Sequence, residues 1–259
     1  MLQKREPRHG PVAQLLIAWS PLSLILVAYA AAHWVSAPLV AGDGAQHNRL
    51  GFGLHVSGPA DADRGWFGEV PTVWLQQRLV DGATHWYDAV AALVYVTHFV
   101  NLPLVTALVW FRLRERFRAW LVAVIAFTTI GICGYVVYPA APPWLAAELG
   151  QIGAVERISA LGWDHLHLSV IGTLTTAGQD GSNPVAAMPS LHAGSTLLIA
   201  LFLWAVASRP WRVALAVYVA AMGLTLVYTG EHYVVDVVAG WLVAGTAVAV
   251  AALARRRWH

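Results

Sequence analysis

Two short strings in the chain carry side chains able to move a proton or attack an electrophile. One is Met188-Pro189-Ser190-Leu191-His192; the other is Gly230-Glu231-His232-Tyr233-Val234-Val235-Asp236. In the second, His232 and Asp236 are four residues apart, so on a helix they share one face. A carboxylate there accepts from one imidazole nitrogen, fixes the tautomer and leaves the other nitrogen free as base or nucleophile. In the first, Pro189 and Ser190 are helix-start residues, with Ser190 suited to cap the helix through its hydroxyl. Free backbone N–H groups and the positive dipole end at such a start suit an anion such as phosphate. A third histidine, His98, stands about ten residues into a long apolar run that begins after Asp88, which is about 15 Å along a helix.

The elements that must position these side chains are membrane spans. Only 12% of the 259 residues are charged and 58% are hydrophobic, about half the charge of a soluble domain. That excludes a water-soluble enzyme and a disordered chain. A helix needs roughly 20 mostly apolar residues to cross the hydrocarbon core. Six stretches meet or approach this: Val12 to Ala37, Ala89 to Phe111, Ala119 to Tyr138, Leu191 to Ala207 (short), Trp211 to Thr229 and His232 to Ala254. They are continuous, not the alternating segments of about 10 residues that build a β-barrel. Six crossings from a cytoplasmic N-terminus put 12 of the 16 basic residues inside, in the short loops around Lys4, Arg112–Arg118, Arg209 and Arg255–Arg257. Of the 14 acidic residues, 12 fall outside. The basic bias fixes both termini as cytoplasmic. His192 and His232 then each begin an out-to-in span, which places both at the extracytoplasmic face of the plasma membrane.

Two outer segments are long. Residues 40–88 are rich in Gly and Pro, including Gly42 and Gly44, and read as loop, with Val73–Val80 as a short amphipathic interfacial helix. The segment Pro139 to Pro189 is too long to be idle and allows a helix over Leu145 to Ile158. Ala28-Tyr29-Ala30 resembles a signal-cleavage site, but the first apolar run exceeds a usual signal core and reads as an anchor. The single cysteine, Cys133, rules out an intrachain disulfide. The expected fold is all-α: a six-transmembrane-helix bundle with an extracytoplasmic cap of loops and short interfacial helices. Residues 1–88 form an anchor helix and outer Gly-rich segment, and residues 89–259 a five-helix catalytic core, within one structural domain.

The strings Tyr138-Pro139-Ala140-Ala141-Pro142-Pro143-Trp144, Asn183 to Gly194 and Gly230 to Gly240 resemble the type 2 phosphatidic acid phosphatase superfamily. Within it they are most similar to the branch of inositol phosphorylceramide synthases and related actinobacterial membrane proteins. The resemblance covers roughly Thr84 to Gly245. It implies that His232 attacks phosphorus to form a phosphohistidine, that Asp236 holds its imidazole, and that His192 protonates the departing group. Water, or an acceptor hydroxyl, then takes the phosphoryl group. It implies no metal and no other cofactor. The substrate would be a lipid phosphate or diphosphate, with an alcohol or glycan acceptor if the reaction is transfer; a lipid transporter is the alternative, and nothing points to nucleic acid. Classical members carry Lys-x6-Arg-Pro and an Arg six residues before the second histidine. Here Lys4 is the last lysine, and that Arg position is Leu226. Arg157, the only Arg or Lys between the third and fourth spans, is therefore expected to meet the substrate's charge, with Ser190, Asn183 and His98 as further substrate contacts. His165 and His167 alternate like a metal pair but lack a third ligand.

Overall fold

A computed structural model describes residues 10–40 and 45–257. Lys4, Arg5 and Arg8 of the charge reading, and Gly42 and Gly44 of the loop reading, lie outside the described residues. The described chain is all-helical apart from three isolated bridges in its loops. Eleven α-helices follow one another: α1 (Pro11–Ser36), α2 (Ser57–Phe67), α3 (Pro71–Leu79), α4 (Trp86–Arg112), α5 (Phe117–Val137), α6 (Pro143–Glu148), α7 (Gly162–His165), α8 (Ser169–Asp180), α9 (Leu191–Trp204), α10 (Arg209–Tyr228) and α11 (Val234–Arg256).

Five of these are long and apolar enough to cross a bilayer: α1, α4, α5 with the 3-10 turn before it, α10 and α11. The protein is a multi-pass membrane protein. The fourth expected span is α9, whose 14 residues rise only about 21 Å against a core of about 30 Å. Its start is set by Pro189 and the Ser190 cap. Its end comes at Trp204, just before Ser208, Arg209 and Pro210 begin α10.

The centre of the bundle is α5, α9 and α11, packed through Trp120, Phe127, Leu198, Ala244 and Ala247, all buried. Close approach of α9 to α11 depends on paired glycines. A Cβ on Gly194 would lie 2.7 Å from the Gly240 carbonyl oxygen and 2.6 Å from the Phe127 ring. Small residues at such crossings let backbones meet where the lipid supplies no hydrophobic drive between helices.

The short helices gather at one end of this bundle, with α7 against the start of α4, α3 against the end of α10 and α2 against the start of α11. The expected helix at Val73–Val80 is present as α3. It does not lie free at an interface: Gln76 is buried and donates to Glu156 O (2.8 Å) and Tyr228 O (2.9 Å), while its amide oxygen accepts from Glu156 N. The expected helix over Leu145 to Ile158 is shorter than the sequence allows. It stops at Glu148 because Gly150 turns the chain at φ +69°, and the following residues cross α3 irregularly instead. The segment read as loop contains α2. Its Asp63 is fully buried and accepts from Val234 N (2.9 Å) and Val235 N (3.0 Å), two donors at the start of α11 that have no partner within their own helix. Helix α8 likewise replaces expected loop.

Candidate active site

His232 sits in the turn between α10 and α11. Gly230 makes that turn possible: its φ is +78°, and a Cβ there would stand 2.6 Å from the Glu156 carbonyl. The backbone N–H groups of Glu231 and His232 both return to Leu226 O at 3.1 Å, which caps α10 and aims the His232 ring inward. Helix α11 then starts with a capping box, in which Tyr233 N donates to Asp236 Oδ2 at 2.9 Å. The same Oδ2 is 3.6 Å from His232 Nδ1, with Asp236 completely buried. Asp236 therefore lies behind the imidazole, and Nε2 is the nitrogen turned toward His192.

His192 is the second residue of α9. Its Nδ1 is 3.5 Å from His232 Nε2. The two helix starts are tied directly, because Ser190 N donates to Asp236 O at 2.9 Å. The Ser190 hydroxyl is turned inward: it is fully buried, accepts from Ala193 N at 3.2 Å and caps α9. It does not line the cavity that the histidines face. His98 of α4 packs on His192 with ring centroids 3.9 Å apart, and its Nδ1 is 3.4 Å from Ser195 Oγ. Asn101 donates to the same oxygen at 3.1 Å.

The three histidines His98, His192 and His232 border a cavity of about 390 Å³. One flank is apolar, built from Ile25, Leu26, Phe99, Leu102, Phe127 and Ile132. The other is polar, with Arg157, Gln179, Asn183 and Glu231 beside His192 and His232. Asn183 Oδ1 accepts from Val185 N, while its buried Nδ2 has no partner. The His192 Nε2 and Asp236 Oδ1 atoms are likewise unpaired.

Arg157 reaches the cavity, but already holds a carboxylate. Its Nε and Nη2 each donate to one oxygen of Glu231 at 3.0 Å, a bidentate pair. Burial pulls the guanidinium pKa down, but the Glu231 carboxylate bonded to it outweighs this and leaves the pKa above its ordinary value. Glu231 Oε1 also accepts from Ser159 Oγ (2.5 Å) and from Gln179 Nε2 (3.0 Å). The Trp144 ring lies 5.1 Å from the guanidinium carbon. The sequence marks Glu231 only as an ionisable residue at a helix mouth. Nothing in it signals Ser159 or Gln179, whose common partner Glu231 lies 72 and 52 residues away. His165 lies in α7 with Nδ1 3.3 Å from Thr84 O, away from this cavity.

A family model described as the PAP2 superfamily matches residues 61–250. The chain belongs to the PAP2 superfamily. The PAP2 match begins upstream of Thr84 and takes in Asp63, so the contact between α2 and α11 lies inside the family region. Phosphoinositol dihydroceramide synthase of Bacteroides thetaiotaomicron is 30% identical over 166 residues, which cover 60% of this chain. Those residues cover 53% of that protein, so this PAP2 chain spans about half the length of its curated relative. No solved structure matches it.

Proposed function

We propose that this PAP2 protein breaks a phosphate ester or diphosphate bond of a membrane lipid through a phosphohistidine on His232. The observation that carries the reading is the line Asp236–His232–His192. A carboxylate stands 3.6 Å behind Nδ1 of one imidazole, and a second imidazole stands 3.5 Å from its Nε2. With Nδ1–H directed at Asp236, the Nε2 lone pair of His232 attacks phosphorus and a P–N bond forms. The P–O bond to the leaving group breaks, and His192 donates its proton to that oxygen. Asp236 stabilises the positive imidazole. In the second half, His192 takes a proton from water or an acceptor hydroxyl. The new P–O bond forms as P–N breaks, and both histidines return to their starting state. Phosphate oxygens would meet the N-terminus of α9, Asn183 Nδ2 and the Nη1 side of Arg157, the edge that Glu231 leaves uncovered. Ser190 acts as the cap that places His192.

In this reading α9 together with its flanking residues makes the sixth crossing. The short helices form an extracytoplasmic cap, both termini are cytoplasmic, and the cavity faces outward. Its apolar flank receives the lipid chain. Its polar flank holds both donors and a carboxylate, which suits a hydroxyl-rich headgroup or acceptor. That favours transfer of a phospho-alcohol group over simple hydrolysis, and the phosphoinositol in the relative's name fits it. The test is a panel of lipid phosphates and phosphatidylinositol in vesicles, with and without dihydroceramide, using wild type and His232→Ala in parallel. Wild type releases or transfers the phospho group and His232→Ala does not. Full activity in His232→Ala refutes the mechanism.

A further inference from the structure

The end of the bundle opposite the catalytic cavity carries a second cavity of about 450 Å³. It exists because α9 is short. Helix α9 stops at Trp204, whereas α11 continues to Arg256 and α5 begins at Phe117. Beyond the end of α9, a trough remains between α5 and α11. Its sides are Leu201, Phe202 and Val248, and alanines complete it, among them Ala119, Ala251 and Ala252. Arg116, Arg255 and Arg256 stand around it.

These three arginines differ from their neighbours. Arg114 lies over the Trp110 ring at 4.0 Å and donates to Gln14 Oε1, and Arg212 donates to Trp204 O. Among the described residues, no ion pair or side-chain hydrogen bond engages Arg116, Arg255 or Arg256. Glu115 is the one acidic side chain at this end among the described residues, and it neither pairs with them nor lines the trough. The trough thus joins an apolar slot with three cations that have no ion-pair partner among the described residues.

We propose that this trough binds one anionic phospholipid from the leaflet opposite the catalytic cavity. Its phosphate lies among Arg116, Arg255 and Arg256, and an acyl chain lies along Leu201, Phe202 and Val248. Guanidinium groups suit a phosphate because they offer paired donors in one plane, and basic pockets between spans at a membrane face are fitted to such headgroups. The lipid would bridge α5 and α11 where α9 does not reach. This assignment is independent of the reaction at His232, because it concerns the other end of the bundle.

The test uses full-length protein in nanodiscs of phosphatidylcholine alone or with phosphatidylglycerol. Retained lipid is counted by native mass spectrometry after extraction, and thermal unfolding is recorded in both lipids. Wild type retains one phosphatidylglycerol and unfolds at a higher temperature with it present. Arg116→Gln/Arg255→Gln/Arg256→Gln loses the retained lipid and the thermal gain, with affinity down roughly a hundredfold. Arg112→Gln/Arg209→Gln/Arg257→Gln removes equal charge from the same end outside the trough and retains the lipid. Ala252→Phe fills the trough with every charge intact and also loses the lipid, so the test survives if the triple variant fails to insert. Equal retention of phosphatidylcholine, equal loss in the control triple variant, or unchanged retention in Ala252→Phe overturns the proposal.

Discussion

Replacing Asp63 by alanine removes a cap that one helix supplies to another. Asp63 is fully buried, and its two oxygens accept from Val234 N and Val235 N at 2.9 and 3.0 Å. Alanine leaves both N–H groups buried without partners, at about 1–3 kcal/mol each. Part of that is returned because a buried carboxylate disappears. Burial raises the Asp63 pKa against the opposing pull of those two backbone bonds. The net loss is about 2–4 kcal/mol, which lowers Tm by roughly 5–15 °C for a chain of this size. An asparagine side chain would keep one acceptor, so Asp63→Asn should lose about half as much. The raised pKa also sets a pH dependence. The folded state binds the Asp63 proton more tightly than the unfolded chain, so its contribution is fullest in acid. It declines as pH rises from the ordinary carboxylate value of about 3.9 through the raised one, and the Tm gap between wild type and Asp63→Asn narrows over that window. Turnover falls as well, with kcat affected more than KM, because the first turn of α11 holds Asp236 against His232. The assay is thermal unfolding in detergent with phosphoryl-release kinetics on the same preparation. An Asp63→Ala protein with unchanged Tm and unchanged kcat would refute the reasoning.

Other substitutions probe the remaining contacts. Glu231→Gln leaves Arg157 buried beside a neutral partner and should cost about 2–4 kcal/mol, less than complete removal of a buried partner, read as a lower Tm. Arg157→Lys cannot reproduce the two-toothed contact and should raise KM for the lipid several-fold, measured by initial rates across substrate concentration. Asp236→Asn can keep the capping contact to Tyr233 N with its amide oxygen, which then still faces His232 Nδ1, so the variant removes the charge behind the imidazole and not its tautomer; kcat should fall by roughly a hundredfold or more, and single-turnover labelling of the histidine reports it. Gly240→Ala drives a Cβ into the Ser190 carbonyl oxygen, forcing α9 and α11 apart at about 1–3 kcal/mol or more, with loss of both Tm and activity.

The two histidine strings were legible because each lies at a helix start, where a few adjacent residues determine local geometry. Hydropathy likewise marks the long spans, since a helix in lipid must satisfy its own backbone. Contacts between distant segments leave no such trace. Arg157 stands out as an isolated cation, but Glu231 is 74 residues away, and nothing local says that the charge is already paired. Asp63 lies in a stretch of Ser, Gly, Pro and acids that reads as loop. It folds as helix because α11 and α3 give α2 a surface to rest on. At Leu145 to Ile158 the apolar residues argue for helix, and one glycine in the left-handed region overrules them. Ser190 shows the opposite case. Its type fits both a cap and a phosphate contact, and only its burial separates them.

The bond from Ser190 N to Asp236 O has a consequence for how this protein can change. It is made by main chain at both ends, so the spacing between the His192 and His232 imidazoles depends little on which side chains surround them. Three members of the polar wall, Arg157, Gln179 and Asn183, come from a different stretch that can be exchanged without touching that pin, provided that it still supplies partners for the fourth, Glu231. On the proposed function, choice of headgroup and capacity for chemistry are therefore separable. A chimera carrying another wall on the same pair of helix starts would inherit the reaction and acquire a new clientele.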